Sequence, residues 1–248
     1  MPEFANISVA LLDFDDTLAI GPITWGIEQF LPEVMARHGL TPDPIQLNAA
    51  LIAAQEMAAA NFDDDQVLSG FLASMDWPQE LWADLAVGMQ GEFAFALFDD
   101  TLPFLRRLQE RGVPAFVVSN NDRCPALAAE LGIAEHLAGF VTPTMQESLR
   151  PKPHPSMFDV VRAQLPDLDP STTVLIGDDP WSDAAFAAAC GLPCLLVDRA
   201  RRYRELTLPG RVTFVDSLAA LVSRPARRWP PRWRRAPRSA SPRRNSKS

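Results

Sequence analysis

The segment Val9–Leu18, with the sequence VALLDFDDTL, decides the fold prediction for this chain. Its first four residues are all apolar, which predicts a strand buried on both faces, as in parallel α/β sheets. Ligands of such open sheets bind at the carboxyl ends of the strands, which is where Asp13 and Asp15 follow. Because side chains alternate along an extended chain, Asp13 and Asp15 should point to one side and Phe14 to the other. The segment therefore predicts a strand that ends in a polar site.

The carboxylates of this segment favour a cationic ligand. Two unit charges about 4 Å apart repel by roughly 4 kcal/mol at an effective dielectric constant near 20. A divalent cation, or a proton held on one carboxylate, would relieve that repulsion. An isolated D-x-D is more often a strand-to-loop turn with solvated acids, so the interpretation depends on the rest of the chain.

The composition restricts the class of protein. The chain has 248 residues and 47% apolar content, enough for one large domain or a domain with an insertion. It contains no run of about 18 apolar residues and no signal-peptide pattern, so we expect a soluble, cytoplasmic protein without a membrane partner. The three cysteines, Cys124, Cys190 and Cys194, form no disulfide framework and are expected to be structural thiols.

The net charge of −8 combines two oppositely charged parts. Residues 224–248 hold ten Arg and Lys residues and no acid, which leaves a formal charge of −18 on residues 1–223. The tail is rich in Pro, Arg and Ser and lacks apolar periodicity, so we expect it to be disordered. Its basic residues surround Trp229 and Trp233, a pattern that could bind nucleic acid or an acidic surface, or fold back on the body. We do not expect nucleic acid as the partner, and the sequence predicts no oligomeric state.

Residues 21–98 are predicted to be almost entirely helical. Apolar positions at helical spacing precede Gly39, and a second helix is predicted to begin at Pro42 or Pro44. The acids of Asp63–Asp65 complement the dipole of a third helix more readily than they bind a metal. The large apolar side chains of this region are expected to form its core: Trp25, Phe62, Phe71, Trp77 and Trp82.

After residue 98 the predicted helices alternate with strands. The strands are predicted at residues 113–118, 139–141, 173–176, 194–197 and 212–215. This alternation predicts an α/β fold, with a doubly wound, Rossmann-like parallel sheet interrupted by an all-helical cap. The expected domains are a core of residues 1–20 and 99–223, a cap of residues 21–98 and the tail of residues 224–248.

The sequence FDDTL occurs twice, at residues 14–18 and 98–102. In the second copy Leu97 occupies the position that matches Asp13, so the leading acid is missing. Thr101 followed by Pro103 is typical of an N-cap and a first helical turn. The second copy therefore predicts a helix start rather than a second acidic site.

Polar residues also end two later strands and accompany an isolated lysine. Ser119, Asn120 and Asn121 follow the strand at residues 113–118, and their hydroxyl and amide groups can donate to anionic oxygens. Gly177, Asp178 and Asp179 follow the strand at residues 173–176, with Asp183 at the next helix start. Lys152 lies between two prolines that stiffen the segment and could direct the ammonium inward; the other lysine, Lys247, lies in the tail.

Taken in order, these motifs resemble the haloacid dehalogenase-like (HAD) hydrolase superfamily. The motifs strand-D-x-D-x-T, strand-Ser-Asn, Lys-Pro and strand-Gly-Asp-Asp-x-x-x-Asp occur in the family's order, and the resemblance covers residues 7–223. The helical insertion after the first motif resembles the cap of the phosphoglycolate phosphatase and beta-phosphoglucomutase branch. The resemblance implies a Rossmann-like core with the first-motif strand at its centre.

The resemblance also implies an activity, namely a Mg²⁺-dependent phosphatase that hydrolyses a small phosphorylated metabolite through an aspartyl-phosphate. Asp13 would be the nucleophile, and Asp15 would protonate the leaving alkoxide and then activate water. Ser119 and Lys152 would hold the phosphoryl oxygens, with Asn120 nearby. The implied Mg²⁺ residues are Asp13, the backbone carbonyl of Asp15, and Asp178, with Asp179 or Asp183 completing or orienting the metal shell.

Other members of the superfamily supply the alternatives. Dehalogenases have no acid at the position of Asp15, so this residue favours phosphoryl transfer over cleavage of a carbon–halogen bond. Phosphonatases use a cap lysine, and residues 21–98 contain no lysine. A phosphosugar mutase keeps the same motifs and remains an alternative, as does a non-enzymatic binding protein that acts through the basic tail.

Overall fold

The computed structural model describes residues 6–90 and 93–222, and the tail of residues 224–248 lies outside them. The strands of this part of the chain are β1 (Val9–Leu12), β2 (Ala19–Ile20), β3 (Ala96–Leu97), β4 (Ala115–Val118), β5 (Gly139–Val141), β6 (Thr173–Gly177), β7 (Pro193–Val197) and β8 (Arg211–Val215).

The α-helices are α1 (Pro22–Trp25), α2 (Leu31–His38), α3 (Pro44–Ala59), α4 (Asp64–Met75), α5 (Trp82–Gln90), α6 (Thr101–Glu110), α7 (Cys124–Glu130), α8 (Ser156–Gln164), α9 (Ala185–Ala189) and α10 (Ala219–Val222). Two π-helical turns, Gly26–Phe30 and Pro180–Ala184, precede α2 and α9. Short 3₁₀ turns lie at Gln79–Leu81, Ala134–His136 and Pro143–Met145.

The core is a parallel sheet in which β1 is central. In the described part of the chain, six strands pair in the order β5-β4-β1-β6-β7-β8, and every pairing is parallel. The chain adds β4 and β5 on one side of β1 and then returns to add β6, β7 and β8 on the other. The carboxyl end of β1 therefore lies where the strand order reverses, which is the ligand-binding position of doubly wound sheets.

Alternate residues of β1 pack against helices on opposite faces of the sheet. Ala10 and Leu12 belong to the apolar cluster that includes α6 and α7. Val9 and Leu11 belong to the cluster that includes α8 and α9. Phe14 joins the first cluster, so it points away from Asp13 and Asp15, as alternation predicts. The buried central strand and the Rossmann-like fold are confirmed.

The region between β2 and β3 forms a helical cap with its own apolar core. Asp63 caps α4 and exchanges hydrogen bonds with Gln66, so the acidic run begins a helix, as predicted. Phe71 lies in the cap core with Trp77 and Trp82 packed against it. Phe62 is 47% exposed, and the prediction that it would be a core residue is wrong.

The chain leaves the core through β2 and returns through β3. The two strands pair antiparallel, with Ala19 opposite Leu97 and Ile20 opposite Ala96. Two-residue strands carry no periodic pattern, so this pair was not predictable from the sequence. It holds the two connections to the cap side by side at its base.

A second contact joins cap and core away from those connections. The Tyr203 hydroxyl, beyond the end of β7, donates a hydrogen bond to Gln55 Oε1 of α3 at 2.6 Å. Ile52 of α3 packs against the apolar cluster on one face of the sheet. These contacts hold α3 over the carboxyl edge of the sheet.

The second FDDTL copy begins α6, as predicted, but with the boundary moved by one residue. Asp100 occupies the N-cap position and Thr101 is the first helical residue. The Thr101 hydroxyl donates to the Leu18 carbonyl at 2.6 Å instead of capping the helix. This bond connects the start of α6 to the end of the first FDDTL copy.

Arg199, which follows β7, connects the two FDDTL copies. Its guanidinium donates to both carboxylate oxygens of Asp100 at 2.9 Å and to the Thr17 carbonyl at 3.2 Å. The same group lies 3.8 Å from the centre of the Phe98 ring. Hydrogen bonds from Arg199 lower the pKa of Asp100, although burial by itself would raise it. Arg199 therefore braces both connections to the cap against the core.

Two further sequence expectations concern cysteines and membrane spans. Cys124 and Cys194 are buried, Cys190 is half-buried, and all three are free thiols. Among residues 6–90 and 93–222, no helix combines the length and hydropathy that a membrane crossing needs.

We expect Arg199→Met to lower the free energy of unfolding by about 2–3 kcal/mol, because Asp100 would keep a largely buried charge without its partner. Arg162→Met is the control, since its pair with Asp159 is exposed on both sides and should contribute less than about 1 kcal/mol. Urea unfolding of both variants measures the difference. Equal losses in the two variants would contradict the bracing role of Arg199.

Candidate active site

The predicted site residues, which are far apart in sequence, lie around one cavity. It has a volume of about 290 Å³ and opens at the carboxyl edge of the sheet. Its lining includes Asp13, Asp15, Ser119, Asn120, Lys152, Asp178, Asp179 and Asp183. Parallel neighbours β1, β4 and β6 end at this edge, which explains why the residues that follow them converge.

Lys152 forms the buried centre of the site. Its ammonium lies 2.6 Å from Asp13 Oδ1 and 2.6 Å from Asp183 Oδ1, and the side chain is only 2% exposed. Burial by itself would lower the pKa of Lys152, but the charges of Asp13 and Asp183 outweigh it and raise the pKa. The lysine is therefore a fixed positive charge that joins the ends of β1 and β6.

Three carboxylates form a cluster beside this ammonium. Asp13, Asp178 and Asp183 each offer one oxygen, and these oxygens lie within 4.8 Å of one another. Octahedral Mg²⁺ binds oxygens at about 2.0–2.1 Å, so ligands on opposite sides of the ion lie about 4 Å apart. Three carboxylates and one ammonium leave a formal charge of −2, which a divalent cation would neutralise. The donor set therefore fits Mg²⁺ in chemistry, spacing and charge.

Burial shifts the protonation of Asp13 and Asp178 toward the neutral form. Burial raises the pKa of Asp13, and the Lys152 ammonium opposes that shift. Burial and then the Asp13 charge raise the pKa of Asp178 well above its usual range. A bound cation would favour the ionised form of both groups. Thr17 fixes the orientation of Asp178 by donating from its hydroxyl to Oδ1 at 2.8 Å.

The two acids after Asp178 have different surroundings. Asp183 Oδ2 accepts from the backbone N–H groups of Asp178 at 3.0 Å and Asp179 at 3.1 Å. A Cβ atom at Gly177 would lie 2.2 Å from this oxygen, so glycine is required for the close approach. Asp179 Oδ1 instead caps the following helical turn by accepting from two backbone N–H groups. Of the two predicted alternatives, only Asp183 belongs to the acidic cluster in the described chain.

Asp15 lies opposite an amide that sequence analysis did not select. The Asn121 side chain donates to both Asp15 oxygens at 3.0 Å. Burial raises the pKa of Asp15, and the bonds from Asn121 oppose that shift. The only sequence signal for this contact was the adjacent pair of asparagines, which does not indicate which of the two faces the site.

Asn120 contacts the lysine segment rather than an acid. Its side-chain oxygen accepts from the Lys152 backbone N–H at 2.7 Å, and its amide donates to the Lys152 carbonyl at 3.2 Å. This reciprocal pair holds the segment from which the ammonium reaches inward. Buried Ser119 accepts from the Asn121 backbone N–H at 3.2 Å, which leaves the hydroxyl proton of Ser119 to donate elsewhere.

Asp16 connects the site to the cap, another contact not anticipated from sequence. Its backbone is in the left-handed region, with φ of 59°. Its carboxylate accepts from the backbone N–H groups of Gly21 at 2.9 Å and Thr24 at 3.1 Å. A Cβ atom at Gly21 would lie 3.0 Å from the Asp16 carboxylate, so the first turn of the cap packs directly on the site loop.

Known proteins share this architecture. Residues 7–191 match the family model of the haloacid dehalogenase-like hydrolases, and no curated protein matches the chain. A HAD family hydrolase from Deinococcus radiodurans, solved with bound phosphate and sodium, is 26% identical at a TM-score of 0.57, with 88% of this chain and 94% of that chain covered. A HAD phosphatase from Thermococcus onnurineus is 16% identical at a TM-score of 0.51, with 87% and 96% covered.

The family match spans all four motifs described above and the helix α9 that follows the fourth. It agrees with the parallel sheet, the central β1 and the helical insertion that follows it. The chain therefore belongs to the haloacid dehalogenase-like hydrolase family.

Proposed function

We propose that this protein is a Mg²⁺-dependent phosphatase that hydrolyses the phosphate monoester of a small metabolite through an aspartyl-phosphate on Asp13. The observation that supports this most strongly is the convergence of Asp13, Lys152 and Asp178 in one cavity. The Deinococcus radiodurans relative, which was solved with bound phosphate, agrees with a phosphate-binding site.

Asp13 is the proposed nucleophile. Uncatalysed hydrolysis of phosphate monoesters is so slow that enzymes accelerate it by up to about 10²¹-fold. A covalent route divides the reaction into two easier displacements. Asp13 Oδ1 accepts from Lys152, which leaves the other oxygen of the carboxylate to attack phosphorus. The P–O bond to the leaving alcohol breaks as the bond to Asp13 forms.

Mg²⁺ is the proposed cofactor, held by Asp13, Asp178 and the backbone carbonyl of Asp15, with Asp183 in support. When bound, the cation supplies positive charge that lets an anionic nucleophile approach an anionic phosphoryl group. Lys152 and Ser119 are proposed to donate to the phosphoryl oxygens and to stabilise the charge of the transition state. The reciprocal bonds from Asn120 keep Lys152 in place for this role.

Asp15 is the proposed acid and base. It would donate its proton to the leaving oxygen and then remove a proton from the water that attacks the aspartyl-phosphate. Its raised pKa, which results from burial, suits the first role. Asn121 holds both carboxylate oxygens in one orientation. The cap is proposed to exclude bulk water during these steps.

We expect Asp13→Asn to lower kcat for p-nitrophenyl phosphate by about 10³-fold or more, because the nucleophile is lost. Chelation of Mg²⁺ should stop turnover in the unmodified protein, and added Mg²⁺ should restore it. Asp159→Asn changes an exposed aspartate in the same way and should leave kcat unchanged. Phosphate release measures all three. Activity retained by Asp13→Asn would contradict the proposed role of Asp13 as the nucleophile.

We expect Asp15→Asn to affect substrates according to their leaving group. In a single turnover, an alkyl phosphate should slow by about 10²-fold or more, because its alkoxide needs a proton. Release of p-nitrophenol should slow much less in that turnover, since nitrophenolate is a stable anion. Rapid-quench measurements of both esters provide the comparison. An equal slowing of both first turnovers would contradict the role of Asp15 as the acid.

A further inference from the structure

We propose that the cap carries a binding site for the leaving group and that this group is apolar, an aromatic ring or a branched hydrocarbon. The inference rests on the proposed function, because it assigns the part of a phosphate monoester that lies beyond the phosphoryl group. It specifies the substrate class as esters of apolar alcohols rather than of sugars or other polyols.

A second cavity of about 270 Å³ lies inside the cap. It is bounded by α1 and the π-helical turn on one side and by α3, α4 and α5 on the others. The side chains that shape it include Trp25, Phe30, Leu51, Leu68, Phe71 and Leu85. The Trp25 ring stacks on Phe30 at 5.6 Å and on Phe93 at 5.7 Å, so part of the wall is a layered aromatic surface.

Ile23 borders both this cavity and the proposed active site. The isoleucine lines the cap cavity and the cavity that contains Asp13 and Lys152. It is 44% exposed, so it is accessible from the proposed active site. Asp16 holds this turn through the backbone N–H groups of Gly21 and Thr24. A substrate with its phosphoryl group near Asp13 would therefore extend past Ile23 into the cap.

The opposite wall of the cavity is formed by α3, which is hydrogen-bonded to the core. Leu51, Ala54 and Gln55 of α3 line it. The Gln55 side-chain oxygen already accepts from the Tyr203 hydroxyl, which holds α3 above the sheet. The cavity is thus held in place relative to the carboxylates by contacts at both ends, Asp16 at one and Tyr203 at the other.

The chemistry of the lining selects against polar leaving groups. Among the described residues of the lining there is no charged side chain, and Gln55 supplies the one side-chain amide. The Trp25 indole is the other side-chain donor of these residues. Each hydroxyl of a sugar would lose its hydrogen bonds to water in this cavity and find few replacements. An apolar group loses nothing by leaving water.

The volume limits the size of the group. A cavity of about 150 Å³ lined by aliphatic and aromatic side chains is large enough to bind benzene. The cap cavity exceeds that volume and has room for a two-ring aromatic group. We therefore choose naphthyl compounds as probes.

The direct test is binding of two phosphonates that resist hydrolysis and share a headgroup. In the presence of Mg²⁺, 1-naphthylmethylphosphonate should bind the full-length protein at least about 30-fold more tightly than methylphosphonate, measured by titration calorimetry. Equal affinities, or no binding of either compound, would overturn the inference.

Matched variants locate the effect in the cap. Ala54→Leu fills the cavity and should lower the affinity ratio by about tenfold, whereas Ala53→Leu makes the same change at an exposed position of the same helix and should leave it unchanged. Gly26→Leu is a second filling variant, because a Cβ there meets nothing within 4 Å and the backbone is helical, with φ of −60°. Circular dichroism checks that both filling variants are folded. If neither folded variant lowers the ratio of the two phosphonate affinities, the result would contradict the proposed site.

Turnover separates this inference from the proposed function. Hydrolysis of phosphate esters with no preference for 1-naphthyl phosphate over glycerol phosphate, together with equal phosphonate affinities, would reject the cap site and keep the phosphatase. Selective binding of the naphthyl phosphonate by a protein that hydrolyses neither ester would reject the phosphatase and keep an apolar site in the cap.

Discussion

The ion pairs of Lys152 with Asp13 and Asp183 are the interaction on which the site depends. A buried ammonium strongly destabilises the folded state unless a carboxylate compensates its charge, and a buried carboxylate does so unless a cation compensates it. Here each group satisfies the other, at 2.6 Å on both sides. The pairs join the end of β1 to the residues after β6, which are neighbouring strands of one sheet. The lysine thus brings a positive charge to a place that would otherwise hold only acids, and the remaining excess of negative charge suits a divalent cation.

The loop after β1 uses consecutive side chains to connect that centre to the rest of the molecule. Asp13, Asp15 and Asp16 all line the cavity, and Asp16 also binds the first turn of the cap. The Thr17 hydroxyl orients Asp178, and its carbonyl accepts from Arg199, which also holds the helix start after the cap. Both connections to the cap are therefore tied to the loop that carries the proposed nucleophile. This arrangement gives a physical basis for coupling between the position of the cap and the geometry of the carboxylates.

The central strand, the alternation of helices and strands, and the set of residues around the cavity were predictable from sequence, because each depends on a local pattern or on the order of the motifs. The sequence did not predict which of two identical residues makes a given contact in the site. Asn120 and Asn121 are adjacent and chemically identical, and only the direction of the chain after β4 decides that Asn121 meets Asp15. Asp179 and Asp183 are also chemically identical. Only the fold of the chain after β6 decides that Asp179 caps a helical turn and that Asp183 approaches Gly177. Arg199 lay outside every motif, since its partners are supplied by segments about 100 and 180 residues away.

The central claim is that Asp13 and Asp178 share one divalent cation beside Lys152. A crystal structure of the full-length protein grown with Mn²⁺ in place of Mg²⁺ would test it directly, because anomalous scattering locates manganese independently of the surrounding protein. We expect one strong anomalous peak within coordination distance of carboxylate oxygens of Asp13 and Asp178, with the Lys152 ammonium still paired to Asp183. A peak elsewhere, for example at the acidic start of α4, or no peak at these two aspartates at saturating Mn²⁺, would contradict the account.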